Sequence, residues 1–143
     1  MNVAAILKSK GRAVATAKPE TTLLEISQKL AQKKIGAIVI VGEGGKLSGI
    51  ISERDVIRAI GEQGAEALKQ PVSQVMTSKV ITCTEMSVID ELMEKMTNGR
   101  FRHLPVVEDD KLVGIVSIGD VVKNHIAEVE MEVTAMRGYL ATG

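Results

Sequence analysis

The chain has 143 residues, 45% of them apolar, with 18 basic against 18 acidic side chains. One respectable core is affordable at this length, but zero net charge, one Phe, one Tyr and no Trp leave neither the cationic footprint nor the stacking surface of a general nucleic-acid binder. Val3 to Leu7 is too short for a secretory leader and no apolar run approaches a membrane span, so a cytoplasmic protein without membrane contact is expected, and the lone Cys83 excludes an internal disulfide.

In chain order, a short strand is predicted at Val14 to Thr16, followed by Pro19 and by Thr21-Thr22, which can cap a helix whose Glu25 stands three residues after Thr22. Leu23, Ile26, Leu30 and Ala31 share one face of that helix. Ile35 to Val41 is a nearly continuous β-branched run, as a strand covered on both sides requires, and Gly42 to Gly45 turns the chain into a strand at Leu47 to Ile51. A second helix starts at Asp55 and runs to Ile60. Gly61 to Val75 reads as a linker, broken by Gly61, Gly64 and Pro71 around one helical turn at Ala65 to Leu68. The same order then returns: a strand at Val80 to Thr82, a helix from Val88 to Met96, a strand at His103 to Val107, a turn at Glu108 to Asp110, a strand at Leu112 to Val116 and a helix from Asp120. Apolar residues at Val121, Val122, Ile126, Val129, Val133, Met136 and Leu140 carry this last helix towards Arg137, with its apolar edge either on Val3 to Leu7 or on a partner chain.

The repetition extends to residues. Gly49-Ile50-Ile51-Ser52-Glu53-Arg54-Asp55 returns as Gly114-Ile115-Val116-Ser117-Ile118-Gly119-Asp120. Pairing Val14 to Gly44 with Val80 to Asp110, and Lys46 to Ile60 with Lys111 to His125, gives 12 identities in 46 positions, with one loop residue near Gly45 absorbing the slip. The chain is therefore a tandem duplication of a β-α-β-β-α unit. The expected division is a first repeat with the N-terminal segment at 1–62, a linker at 63–75, a second repeat at 76–127 and a helical extension at 128–143.

These residues resemble the cystathionine β-synthase (CBS) domain, and the chain looks like a tandem pair of them, a Bateman module, from about Ala4 to Ala127. The resemblance rests on the twin Gly-h-h-Ser-x-x-Asp stretches, on Arg102-His103-Leu104-Pro105-Val106-Val107 with its weaker counterpart Gly36 to Val41, and on Val75-Met76-Thr77 before the second unit. It implies an α+β (α/β-like) fold in which the two repeats pack as a pseudo-two-fold pair, a homodimer of such pairs, and a regulatory role towards a separate protein target. It further implies an adenosine-containing ligand in clefts between the repeats, AMP first, with ADP, ATP, NAD(H) or S-adenosylmethionine as the other candidates, and no catalysis by the module itself.

The chemistry expected of such clefts can be placed on residues. A carboxylate at a helix start offers two oxygens to the vicinal hydroxyls of a ribose, which makes Asp55 and Asp120 ribose candidates; the alternative is that each only caps its helix. Ser52 and Ser117 stand where a hydroxyl and neighbouring N–H groups could meet a phosphate or ribose, or where a local cap would use them. Thr16 and Lys18 with Ala37 and Ile38, and Thr82 with His103, Leu104 and Pro105, are the expected walls around an adenine, although strand packing would explain the same side chains. Arg100, Arg102 and His103 cluster where the first unit has Lys34, Gly36 and Ala37. The resemblance sets Arg102 and His103 over the ligand of the other repeat's Asp, here Asp55, which also has Arg54 beside it. Asp120 follows Ile118-Gly119 and faces Gly36-Ala37, so a phosphate ligand is expected at Asp55 and a weaker, empty or larger-ligand cleft at Asp120. Neither His103 nor His125 reads as a metal ligand or general base, and no phosphate-cradling glycine loop of a nucleotide hydrolase occurs.

Overall fold

A computed structural model describes residues 1–142; Gly143, the end of the expected helical extension, lies outside the described residues. Helix α1 (Val3–Lys10) opens the chain, capped by the Asn2 side chain, which accepts from Ala5 N at 3.1 Å. The first unit is β1 (Thr16–Ala17), α2 (Leu23–Lys33), β2 (Ala37–Val41), β3 (Leu47–Ser52) and α3 (Glu53–Gln63). Two short 3-10 turns, Gly64–Lys69 and Val72–Gln74, make the connection. The second unit is α4 (Ile89–Gly99), β4 (His103–Glu108), β5 (Lys111–Ser117) and α5 (Ile118–Thr142).

Each element has a local cause. Thr22 caps α2 by accepting from Glu25 N at 3.2 Å, and Leu23, Ile26 and Leu30 of the expected face are buried, whereas Ala31 is exposed at its edge. Helices α2 and α4 both end on a residue in the left-handed conformation, Lys34 (φ 53°) and Arg100 (φ 55°), at equivalent places in the two units. The β2–β3 turn uses Gly44 and Gly45 at positive φ, while the β4–β5 turn forces Asp109 and Asp110 into the same region, which Asp tolerates better than most residues. In the sheets, β1 runs parallel to β2, β2 pairs antiparallel with β3, and β4 pairs antiparallel with β5. Ile38, Val39 and Ile40 are fully buried, as a strand covered on both sides must be.

β1 is Thr16–Ala17 rather than Val14 to Thr16, and α3 runs Glu53–Gln63 rather than from Asp55 to Ile60; two larger features also differ from expectation. The strand expected at Val80 to Thr82 is reduced to a single parallel bridge, Cys83 to Val106. In the first unit Val39 N donates to Ala15 O at 3.0 Å; the equivalent position in β4 is Pro105, which has no N–H to give Ile81. Only the Cys83 N to Pro105 O and Val107 N to Cys83 O bonds remain to hold the strand.

The second difference concerns the N-terminal segment, expected with the first unit. Val3, Ile6 and Leu7 instead complete the second core, with Ile89, Leu92, Met96, Leu104, Val106, Val116 and Val121. The first core, around Leu23, Ile26, Ile38, Ile40 and Ile51, takes Ala67 and Val72 from the connection in return. Each unit is thus closed by the segment that precedes the other, because a unit of this size leaves an apolar sheet face that it cannot cover alone.

The repeated glycines sit at these crossings. A Cβ on Gly49 would come 2.5 Å from Met76 Sδ and 2.8 Å from Thr77 O, and one on Gly114 would come 2.7 Å from Leu7 Cδ2. Ile50 and Thr77 exchange two backbone bonds of 3.0 Å at the first crossing. Gly49→Ala is therefore expected to destabilise the protein by about 1–3 kcal/mol through overpacking against backbone, measured by urea unfolding. A change below roughly 0.5 kcal/mol would show that the crossing yields freely.

Candidate functional site

The Ser-x-x-Asp repeat forms the same local device twice. Ser52 N donates to Asp55 Oδ2 at 2.9 Å while Asp55 N donates to Ser52 Oγ at 3.3 Å, a reciprocal capping box at the start of α3. Ser117 N and Asp120 Oδ2 (2.9 Å), with Asp120 N and Ser117 Oγ (3.2 Å), repeat it at α5. Capping occupies Oδ2 in both cases. At Asp55 it leaves Oδ1 with only Arg58 at 3.4 Å, so cap and ligand roles are compatible in one side chain.

Around Asp55 lies a cavity of about 280 Å³ walled by both units. Unit one supplies Gly36, Ile50, Ser52, Glu53, Arg54, Asp55 and Arg58, and unit two supplies Arg100 and Arg102 from the α4–β4 connection and His103 from the start of β4. The Ile50–Thr77 bridge carries the chain across the cavity, so that Lys79, Val80 and Ile81 also line it. Five cationic side chains, Arg54, Arg58, Lys79, Arg100 and Arg102, thus surround one cavity against two carboxylates. An anion bearing a diol finds donors, an acceptor and an apolar edge there.

A second cavity, about 470 Å³, is lined by Val14, Ala15, Lys33, Ile35 and Ala37 from unit one and by Lys10, Ile115 and Ser117. Asp120 is not among its walls but lies behind Lys10, whose Nζ is 2.6 Å from Asp120 Oδ2 and 2.9 Å from Ile115 O. Burial pushes the Asp120 carboxyl up, but the Lys10 and Ser117 hydrogen bonds and the Lys10 charge outweigh it and hold the group below the usual carboxylate range. A ligand at Asp120 must displace or share this lysine.

Gly36 and His103 belong to both cavities and form the wall between them. A Cβ on Gly36 would stand 3.2 Å from His103 Cε1 and 3.3 Å from Nε2, so the ring lies close against the glycine. Burial lowers the His103 pKa; the nearby Lys10 and Arg102 charges add to this, while Glu53 and Asp120 oppose it. The unfolded chain, with His near 6.5, binds this proton more readily than the fold does. Stability linked to His103 is therefore complete above about pH 6.5 and declines as pH falls towards its folded value. Urea unfolding at pH 7 and pH 5.5 should show this decline, and His103→Gln should shrink it; an unchanged slope would refute the assignment.

Of the expected site residues, Ser52, Arg54, Asp55, Arg100, Arg102 and His103 meet at the first cavity, and Ala37 and Ser117 line the second with Asp120 behind Lys10. Ile38 and Leu104 do not: both are fully buried in the two cores, because successive strand residues face opposite sides and only Ala37 and His103 turn to the clefts. Pro105 is buried too, accepting from Cys83 N. Thr16, Lys18 and Thr82 line neither cavity; the walls are Val14-Ala15 and Val80-Ile81, two residues earlier in each unit. The Thr16/Thr82 identity has a structural use instead, since Lys29 and Lys95 donate to the two threonine carbonyls at 2.6 and 3.3 Å. Arg58, Lys79 and Lys10 were missed. Arg58 was legible at three residues from Asp55 on one helix face, whereas Lys10 is 110 residues from its partner. Burial raises the Cys83 thiol to about 11, so it stays protonated. Among the described residues no group of three His, Cys, Asp or Glu side chains converges to hold a metal, and no helix is long and apolar enough to cross a membrane.

Comparison with known proteins adds the family. The CBS-domain model matches residues 10–62 and 72–126. The chain is 35% identical to the CBS domain-containing protein CBSX3, mitochondrial, of Arabidopsis thaliana, over 96% of this chain and 71% of that protein. It is 30% identical to CBSCBSPB5 of the same plant but spans only 22% of it. Among solved structures, the CBS-domain containing protein ATU1752 from Agrobacterium tumefaciens has a TM-score of 0.83 at 48% identity, covering 85% of this chain and 91% of that one. The CBS domain pair of MJ0100, solved with 5′-methylthioadenosine and S-adenosyl-L-methionine, has a TM-score of 0.79 at 29% identity, with 90% and 98% covered. PAE2072 from Pyrobaculum aerophilum, complexed with AMP, has a TM-score of 0.75 at 26% identity, with 84% and 89% covered. With two matched domains spanning most of its length and the duplicated fold in place, the chain belongs to the CBS-domain family as a tandem pair.

Proposed function

We propose that this chain is a regulatory module that binds an adenosine-containing ligand, AMP first, in the Asp55 cleft, and acts as a homodimer on a separate protein target. The carrying observation is the grouping of one available carboxylate oxygen and five cations around a single cavity. Asp55 accepts from the ribose hydroxyls while retaining its cap, Arg54, Arg58, Lys79, Arg100 and Arg102 take the phosphate, and Ile50, Val80 and Ile81 give the purine an apolar edge. The ligands printed for MJ0100 and PAE2072 share the adenosine moiety, which supports the class without choosing among AMP, ADP, ATP, NAD(H) and S-adenosylmethionine. Because both units contribute walls, an occupied cleft changes the balance between their arrangements, and that shift is the signal. The Ser52 hydroxyl and the Asp55 carboxylate that line the cleft are engaged with each other in the α3 cap, and the ligand is read as bound without turnover.

The test is a thermal-shift panel of these ligands with chromatography of the nucleotide afterwards. A ligand at a hundred times its Kd stabilises the native state by about 2.7 kcal/mol, several degrees for a domain of this size. A shift with unchanged nucleotide supports the sensor reading. No shift with any ligand refutes it in favour of a protein whose clefts are vestigial and whose role is assembly, and a hydrolysed nucleotide refutes the absence of turnover.

A further inference from the structure

Past Glu128, α5 runs clear of the two buried cores. Val121 is buried in the second core, but from Val129 through Ala141 every residue is exposed, a projection of roughly 18 Å. Along it, Val122, Ile126, Val129, Val133, Met136 and Leu140 recur in steps of four, three, four, three and four, and all six are between 40% and 74% exposed. That is a strict 3.5-residue period, the seam of a left-handed two-helix coil, narrower than the stripe a helix shows to its own core.

We propose that α5 is the dimerisation element, pairing in parallel with α5 of a second copy of this chain. The charges beside the seam decide both occupant and direction. With Ile126, Val133 and Leu140 at the a positions and Val122, Val129 and Met136 at d, Glu132 falls at g and Arg137 at the following e, the two positions that meet across a parallel pair. Two Glu132–Arg137 pairs of opposite sign therefore flank the seam, one on each side. The fully overlapped antiparallel pair sets Glu130 against Glu130, Glu132 against Glu132 and Lys123 against Arg137, all like charges. This deepens the homodimer of the proposed function and rests on that part alone; ligand binding is read by a different measurement.

The experiment uses the full chain in sedimentation velocity and light scattering. Wild type is expected at twice 15.3 kDa. Val133→Asp, which puts two unpaired carboxylates in the seam, should raise the dimer Kd at least about a hundredfold while leaving the thermal unfolding cooperative. Val133→Cys should give a disulfide-linked dimer on mild oxidation, since an a residue meets itself only in the parallel register, and Arg137→Glu should weaken the dimer, with Glu132→Lys added to it restoring the pairing. A monomeric wild type, a dimer that survives Val133→Asp, a Val133→Cys dimer without the cross-link, or a dimer tightened by Arg137→Glu each overturns the proposal; the last two would indicate the antiparallel pair.

Discussion

Leu7→Ala is expected to destabilise the protein by about 2–5 kcal/mol, lowering its Tm by roughly 6–15 °C, although the residue lies before the first repeat begins. Leu7 is 1% exposed and its methyl groups fill the space left by Gly114 on β5, at the far end of the chain in sequence. Truncation removes apolar area from the second core and leaves a cavity between α1 and a rigid strand pair, a site with little freedom to collapse. α1 is tied down on both sides of that contact: Val3 N and Ala4 N donate to Ser87 O and Glu85 O at 2.9 Å, and the terminal ammonium meets Glu128 at 3.1 Å. Relaxation by peeling the helix away would forfeit those bonds as well. Met86→Ala, at a side chain 76% exposed, should stay within about 0.5 kcal/mol and serves as the control. Urea unfolding of the full chain measures both. A loss below about 1 kcal/mol at Leu7 would mean that the second core closes without α1.

How much of this was legible in the sequence follows from the range of the interactions. Local devices were legible: the Thr22 and Ser52 caps, the β2–β3 turn glycines and the order of elements each depend on residues three or four apart. Duplication extended that reach, because a pseudo-two-fold pair sets each unit's connection against the other's helix start, and Arg102 and His103 do share a cavity with Asp55. Contacts outside the repeat were not legible. α1 has no copy of itself to be compared with, so neither its place in the second core nor Lys10 on Asp120 left a periodic trace. Two misreadings had a signal that could have prevented them. Pro105, at the position equivalent to Val39, lacks the N–H that would have fixed the strand before Cys83. The alternation of strand residues forbids Ala37 and Ile38, or His103 and Leu104, from lining the same cleft.

The second large effect is expected at the first cleft: Asp55→Asn and Arg102→Ala should each weaken AMP binding by about 30-fold or more, near 2 kcal/mol, while Asp120→Asn leaves it within about twofold. Asparagine is chosen because it separates the two tasks of Asp55. Its carbonyl oxygen can still accept from Ser52 N and keep α3 capped, but its amide group cannot accept a ribose hydroxyl, so the loss falls on the diol rather than on the helix. Arg102→Ala removes charge where the phosphate is drawn in, and truncating a charged partner in a partly desolvated site leaves the phosphate without a matching donor. Asp120 differs because Lys10 already satisfies it and the second cavity brings Lys33 and no arginine to its walls. Titration calorimetry decides between the clefts, with adenosine as a second ligand to isolate the phosphate. Adenosine should bind more weakly than AMP to wild type and be indifferent to Arg102→Ala, and AMP affinity should fall with added salt as surface charges are screened. Binding that survives Asp55→Asn and disappears with Asp120→Asn would move the ligand to the other cleft, where Lys10 would have to release Asp120 before a ribose could take its place.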